Sequence, residues 1–375
     1  MRDIGIGLIG TGFMGHAHAQ AFHHAASSFA LPVRPRLVAL ADADPERAAR
    51  CADAWGFARS CDWERLIADP AVELVAITTP NLLHAPMALA ALAAGKAVYC
   101  EKPLAVSLEE ATRMRDAARQ AGVVNRVGYN YLQNPMLKQA RELIQSGELG
   151  EIVSFSGEFS EDFMGDPQGP FTWRCETRQA GGALADLGSH ILSLARFLLG
   201  PVAALCADLH TAHGQRPHQG GTRAVEIDDQ AHLLLRFANG ARGTLTTSWL
   251  KHGRKNRLAF EVCGTRGTLG FDQERLNELR LYQVGDRPGL GGFRTLLAGP
   301  HLPDYAAFCP APGHQLGYNE LKTLEVRSLL EALGGNPGHT GVDFQEAWEV
   351  ERLAQAARQS AQEERWVRLD QKIGG

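Results

Sequence analysis

No uninterrupted apolar stretch in the 375 residues is long enough to span a bilayer, so no membrane segment is expected. The apolar run Ile4–Ile9 is too short for the core of a secretion signal and passes straight into glycines. There is no C-x-x-C pair. The cysteines are odd in number, seven, and scattered at Cys51, Cys61, Cys100, Cys175, Cys206, Cys263 and Cys309. Free buried thiols and a cytoplasmic location are therefore expected. Charge of neither sign dominates. Lys plus Arg number 38 against 42 Asp plus Glu, a net −4 that offers no broad basic surface to nucleic acid or to a membrane. G-x-S-x-G, H-E-x-x-H and GK[ST] signatures are also missing, which argues against a serine hydrolase, a zincin and a P-loop NTPase. His210, His213 and His218 fall in a polar loop without fixed spacing or a cysteine partner, so solvated histidines and no metal site are expected.

The hydrophobic share, 45%, is that of an ordinary folded chain, and the length suggests two or three domains. The first third alternates short apolar runs (Ile4–Ile9, Arg36–Leu40, Leu74–Thr78, Ala97–Cys100) with helical patterns such as His84–Ala94. Leu108, Ala111, Met114, Ala118 and Ala121 recur at helical spacing before Gly122, a C-cap signal. Such alternation predicts an α/β domain with a doubly wound parallel sheet. Beyond about residue 150 the texture changes. A helix over about 183–199 is followed by runs suited to antiparallel strands at Val202–Leu209, Ala231–Ala238, Ala241–Leu250, Leu258–Cys263 and Glu278–Val284. Asn239-Gly240 between two of them is a hairpin signal. Two later helices follow, one ending at Gly334-Gly335. The expected division is a doubly wound domain over 1–124 and a second α/β domain over 125–375.

Gly10-x-Gly12-x-x-Gly15 follows a predicted strand and opens a helix, the context a dinucleotide fingerprint requires. Its glycines allow the tight turn, the approach of a pyrophosphate and close helix–strand packing. Phe13 and Met14 stand inside the same turn. Asp42 ends the second strand, where a carboxylate can accept hydrogen bonds from ribose hydroxyls and repel a 2′-phosphate, which favours NAD over NADP. Its spacing from Gly15 is long, and the insertion Ser27–Pro35 accounts for it. The alternative is that Asp42 merely opens the turn before Asp44-Pro45. Glu101-Lys102-Pro103 ends the fourth strand, on the edge where such sheets bind ligands. A lysine there can stabilise an alkoxide, although Lys before Pro is also an ordinary solvated loop residue. Asp186 and His190 lie four apart on a predicted helix, beside the stripe Leu187, Ile191, Leu194 and Leu198. A carboxylate so placed can tune an imidazole for general-base work, and a capping Asp beside an interior His would show the same spacing.

With these residues in place, the chain strongly resembles the Gfo/Idh/MocA (glucose–fructose oxidoreductase/inositol dehydrogenase/MocA) family over nearly its full length. The resemblance rests on Gly10-Thr-Gly-Phe-Met-Gly15, Thr79-Pro80-Asn81-x-x-His84, Ala94–Ala105 with its Glu-Lys-Pro, and Gly181–His190 with Asp-x-x-x-His. It implies a Rossmann domain followed by a mostly antiparallel α/β domain, whose open sheet lines the substrate site on one side and forms subunit contacts on the other. A homodimer or homotetramer is implied. Lys102, Asp186 and His190 match the family's catalytic lysine, carboxylate and acid/base histidine. Thr79, Pro80, Asn81, His84 and Glu101 match positions lining the nicotinamide half of the cofactor. Segments Phe171–Arg174, Asn130-Tyr131 and Gly292–Thr295 are similar to those of its sugar dehydrogenases, though Leu132-Gln133 stands where many relatives carry an arginine.

The expected activity is oxidation of a secondary hydroxyl of a neutral sugar, anhydrosugar or cyclitol with NAD. Trp173 offers a flat apolar face for ring C–H bonds, while Arg174, Asn130, Tyr131, Asp186 and His190 supply polar groups for hydroxyls. Two other readings stand beside it. One is a member that retains its NAD and performs hydrolysis or elimination through transient oxidation; the other is a non-catalytic nucleotide-binding regulator.

Overall fold

Short, continuously apolar runs bounded by turn residues read as strands buried on both faces, and the first third of the chain is built from them. The computed structural model describes residues 2–176, 181–287, 289–336 and 341–369. Strands β1 (Arg2–Ile9), β2 (Val33–Ala41), β3 (Arg59–Ser60), β4 (Leu74–Ile77), β5 (Ala97–Cys100) and β6 (Asn125–Val127) form one parallel sheet in the order β3-β2-β1-β4-β5-β6. Helices α1 (Phe13–Ser28), α2 (Pro45–Trp55), α3 (Trp63–Ala68), α4 (His84–Ala93) and α5 (Leu108–Ala121) connect them. The order reverses between β1 and β4, and the strand ends there are where such sheets bind ligands. Helix α1 runs to Ser28 before β2 begins at Val33, which accommodates the long spacing between Gly15 and Asp42.

The second assembly holds α6 (Pro135–Gln145), β7 (Ile152–Ser160), α7 (Ser189–Leu199) and a run of strands. These are β8 (Val202–His210), β9 (Gln215–His218), β10 (Gly221–Ala224), β11 (Gln230–Phe237), β12 (Arg242–Ser248), β13 (Arg257–Gly264), β14 (Gly267–Asp272), β15 (Glu278–Gln283) and β16 (Arg294–Leu297). Then come α8 (Pro303–Ala306), α9 (Tyr318–Leu333), α10 (Phe344–Glu363) and β17 (Val367–Arg368). The large sheet runs β16-β15-β14-β13-β7-β12-β11-β8-β17, with only β7 and β12 parallel; β9 and β10 make a separate hairpin. Asn239-Gly240 turns β11 into antiparallel β12 with Gly240 at φ 96°, as its sequence predicts.

Where the sequence reading draws one boundary after residue 124, packing groups Met1–Gln133 with Pro303–Pro310 and Leu316–Glu351, and Asn134–Leu302 with Ala311–Gln315 and Arg352–Gly375. The reason is visible in the first unit's core. Ile4, Ile6, Leu8, Phe22, Leu40 and Tyr99 pack with Val326, Leu329 and Leu330, so the apolar face of α9 completes a domain more than 180 residues behind it in sequence. Helix α2 carries a cap signal that the sequence reading took only as a turn: Asp44 accepts from the Glu46 and Arg47 N–H groups, with Pro45 at the first helical position.

Candidate active site

Two of the three fingerprint positions are glycine because nothing larger fits. Gly10 has φ 105°, and a Cβ on Gly15 would stand 2.1 Å from the Gly10 carbonyl oxygen. At Gly12 a Cβ would meet nothing within 4 Å, so the space before α1 is open. Gly12 is the N-cap of α1, contributes no capping side chain, and no acidic residue follows in the first turn. The first N–H groups of α1 therefore have no capping side chain, and the space beside Gly12 is open, the arrangement that receives a pyrophosphate. Phe13 is exposed and Met14 half-buried beside it.

Asp42 lies just beyond β2 and braces this turn. Its Oδ2 accepts from the Thr11 N–H at 2.8 Å and the Thr11 hydroxyl at 2.5 Å, and its Oδ1 accepts from the Asp44 N–H at 3.1 Å. Burial pushes its pKa up, but these bonds and nearby Arg47 outweigh it and hold the carboxyl below its ordinary value. It stays ionised, with lone pairs left for further donors. Arg47 itself donates to the Thr11 carbonyl at 2.8 Å.

Strands β4 and β5 end side by side, Ile77 opposite Cys100. Thr79-Pro80-Asn81 leaves one end and Glu101-Lys102-Pro103 the other. Buried His84, at the start of α4, ties them together: Nδ1 lies 2.9 Å from the Pro103 carbonyl oxygen and Nε2 3.0 Å from that of Thr79. Burial keeps its pKa below the ordinary histidine value. A neutral ring carries one N–H, so it donates to one of the two carbonyls at a time. Glu101 is buried, and its Oε1 accepts from His18 Nε2 at 2.7 Å and Lys322 Nζ at 2.8 Å. Lys102 is half-buried, while Asn130 and Tyr131 are buried in a 3-10 turn after β6. The Tyr131 ring meets Tyr318 of α9 edge-on, centroids 6.2 Å apart. The first unit therefore gathers Gly10–Gly15, Asp42, Thr79–His84 and Glu101-Lys102 at the C-terminal ends of β1, β2, β4 and β5.

In the second unit, Asp186 and His190 do not lie on one regular helix. A π-helical turn, Leu184–Gly188, carries half-buried Asp186 and leads into α7, whose first turn carries His190. Such widened turns recur at functional sites. His190 is 6% exposed, and its ring packs edge-on against Phe159 at 5.6 Å. Trp173 is exposed in a 3-10 turn, and the Arg174 guanidinium lies 4.6 Å over its ring and 5.5 Å from that of Phe163. Among the described residues no group of three or more His, Cys, Asp and Glu is arranged to hold a metal ion. His213 Nε2 lies 3.2 Å from the Gly165 carbonyl oxygen, and His218 packs against Phe171. No described helix is long and apolar enough to cross a membrane.

Sequence reasoning missed the residues that hold these groups from afar. Asp228 starts the π turn: its Oδ2 accepts from the Leu184 N–H at 2.7 Å and its carbonyl from the Ala183 N–H at 2.9 Å. Gly182, at φ 82°, must be glycine there, since a Cβ would stand 2.1 Å from Asp228 Oδ1. Burial pushes the Asp228 carboxyl up to about 6, against the Leu184 bond and nearby Arg358 and with a small push from Asp229. The available signal was the paired carboxylates Asp228-Asp229 at the head of a strand. Lys322 was legible only as a charge on the apolar face of α9, beside Leu321 and Leu324.

Against known proteins, residues 4–129 match the oxidoreductase family with an NAD-binding Rossmann fold, and 137–270 match the GFO/IDH/MocA C-terminal domain. The chain is 38% identical to levoglucosan dehydrogenase of Pseudarthrobacter phenanthrenivorans, over 99% of both proteins. It superimposes on a levoglucosan dehydrogenase in complex with NADH and levoglucosan with a TM-score of 0.95 at 37% identity, covering 99% of this chain and 100% of that one. An NAD-binding oxidoreductase from Klebsiella pneumoniae is 43% identical with a TM-score of 0.93, again over 99% and 100% of the two chains.

Proposed function

The chain belongs to the Gfo/Idh/MocA family of NAD-binding oxidoreductases, and from that premise we propose that it oxidises a secondary hydroxyl of a neutral, pyranose-like ring. The observation that carries this is end-to-end likeness, 38% over 99% of both chains, to a dehydrogenase of an anhydrosugar. The open space before Gly12 and the free N–H groups of α1 fit the pyrophosphate of NAD. Asp42 would hold its ribose hydroxyls, and Thr79, Pro80, Asn81, His84 and Glu101 its nicotinamide half. Bound there, NAD supplies the hydride acceptor.

The chain's own residues do the rest. The His190 imidazole takes the hydroxyl proton, and the Lys102 ammonium stabilises the alkoxide as it forms. Asp186 holds His190 in register and accepts from a second hydroxyl. Trp173 lies along the ring C–H bonds, while Arg174, Asn130 and Tyr131 bind the remaining oxygens. Arg174 and Lys102 are too few cations for a phosphorylated substrate, and Asp186 would repel one. Free thiols at all seven cysteines support a cytoplasmic enzyme. The exposed sheet face carrying Leu234, Thr244 and Ser156 supports a homodimer or homotetramer.

Initial rates with NAD and levoglucosan, myo-inositol, glucose or their phosphates test the substrate class. Net NADH formation with at least one neutral ring is expected. Turnover of sugar phosphates alone, or product without net NADH, would overturn the reading.

A further inference from the structure

A lysine with no exposed surface needs every proton of its ammonium group received by an acceptor. Lys322, on α9, meets that demand: Nζ donates to Glu101 Oε1 at 2.8 Å, Glu325 Oε2 at 2.7 Å and the Tyr99 hydroxyl at 3.1 Å. The Tyr99 hydroxyl donates in turn to Glu325. Glu101 Oε1 also receives His18 Nε2 at 2.7 Å, and its Oε2 accepts from the backbone N–H of Lys102 at 3.3 Å. Room for this carboxylate is made by Gly128, where a Cβ would lie 2.5 Å from Oε1. One turn before Lys322, the Tyr318 hydroxyl lies 3.2 Å from Met14 Sδ and its ring 5.8 Å from that of Phe13. One face of α9 thus reaches both the glycine turn and the Glu101-Lys102 turn.

We propose that Lys322 is a positioning residue which, through Glu101, fixes the turn that presents Lys102 beside the nicotinamide site. The proposal rests on the reading that Lys102 and Glu101 serve that site. The charges agree with it. Burial would push the Glu101 carboxyl up, but Lys322 and the His18 bond hold it far below the ordinary range. Burial likewise would lower the Lys322 ammonium, and Glu101 with Glu325 keep it charged. His18 is pushed down to about 4 by burial and by Lys322, so it stays neutral and donates. The groups facing Glu101 are His18 from α1, His84 from α4, Tyr99, Cys100 and Lys102 from its own segment, and Tyr318, Lys322 and Glu325 from α9. Arg126, on β6, faces Glu325 in turn. Lys322 thus keeps Glu101 ionised, and Glu325, whose carboxyl burial pushes up, is engaged by the same ammonium and by Tyr99.

Calorimetric NAD binding at several pH values on either side of neutral, with kcat on the best neutral-ring substrate, tests the proposal. Lys322→Met should weaken NAD binding and kcat by roughly ten-fold or more, and should alter the pH dependence of affinity, because burial then pushes up the carboxyl of an uncompensated Glu101. Lys322→Met with the affinity, kcat and pH profile of wild type would overturn the proposal. A buried charge left alone can unfold the chain, so a double-mutant cycle decides independently. Glu101→Gln should be about ten-fold impaired, and adding Lys322→Met should change it by less than about two-fold. A wild-type-like Glu101→Gln, or a further ten-fold loss in the double variant, would show that Lys322 does not act through Glu101. Because NAD affinity is read without substrate, an enzyme inert towards every sugar would refute the proposed activity and still leave this cycle to decide on Lys322.

Discussion

Replacing Asp228 by asparagine should change stability in a pH-dependent way whose size follows from the site. The amide keeps an oxygen for the Leu184 N–H but cannot ionise. In the native protein the Asp228 carboxyl titrates at about 6 against a usual 3.8, because burial disfavours its charged form. A carboxyl whose folded pKa is raised favours folding fully only below its unfolded pKa, and that contribution is lost as pH rises through the folded value. The whole effect is about 3 kcal/mol, roughly 2.2 pKa units at 1.36 kcal/mol each, and about half of it, ~1.4 kcal/mol, falls between pH 5 and 8. The difference in Tm, Asp228→Asn minus wild type, should therefore grow by ~3–6 °C over that window for a unit of this size. Thermal melts followed by tryptophan fluorescence at pH 5, 6, 7 and 8 measure it. Comparing two variants at each pH cancels every other titrating group. A difference that stays constant with pH, or that shrinks as pH rises, would refute the assignment of a raised pKa to Asp228.

Gly12→Ala should fold as stably as wild type yet lose NAD affinity by calorimetry, since its Cβ enters only open space where the pyrophosphate is to lie. Gly15→Ala should lower Tm as well, because its Cβ meets the Gly10 carbonyl oxygen at 2.1 Å. His190→Ala and Lys102→Ala should each cut kcat by roughly 10²–10⁴-fold, and NAD binding should survive His190→Ala; near-normal turnover in either folded variant would reject its role. Asp42→Ala should weaken NAD binding and narrow the preference for NAD over NADP, and an unchanged kcat/KM ratio for the two cofactors would remove Asp42 from that role.

What the sequence made legible and what it hid divide along a physical line. Wherever the determining interaction is local, the residues announce it. Gly10-x-Gly12-x-x-Gly15 announces a turn because backbone sterics over six positions demand glycine, and Asn239-Gly240 announces a hairpin because the turn type needs positive φ. Short apolar runs announce β4 and β5 because strands buried on both faces have no polar side to show. Even the missed helix α2 carried its signal locally, in Asp44-Pro45, and was lost only because the same dipeptide also suits a turn.

The parts that stayed hidden are set by partners far away in the chain. The widened turn bearing Asp186 is fixed by Asp228, 44 residues downstream of the Leu184 N–H it accepts from. Four-residue spacing predicts a regular helix there, and nothing within 181–190 alone argues otherwise. The charge of Glu101 is settled by Lys322, 221 residues away, on a helix that a sequence boundary at residue 124 assigns to the other domain. Viewed from sequence, Lys322 breaks an apolar face; viewed from the fold, it is the cation that lets a carboxylate be buried beside the fingerprint turn. The two cases share one cause. Asp186 and Lys102 each stand on a short turn whose own sequence leaves its geometry open, and a buried ionisable side chain from a distant segment bonds to each turn, Asp228 at Leu184 and Lys322 at Glu101. In such a design the residues that carry the chemistry are recognisable by type and spacing, whereas the residues that aim them are recognisable only by what they would cost if left unpaired.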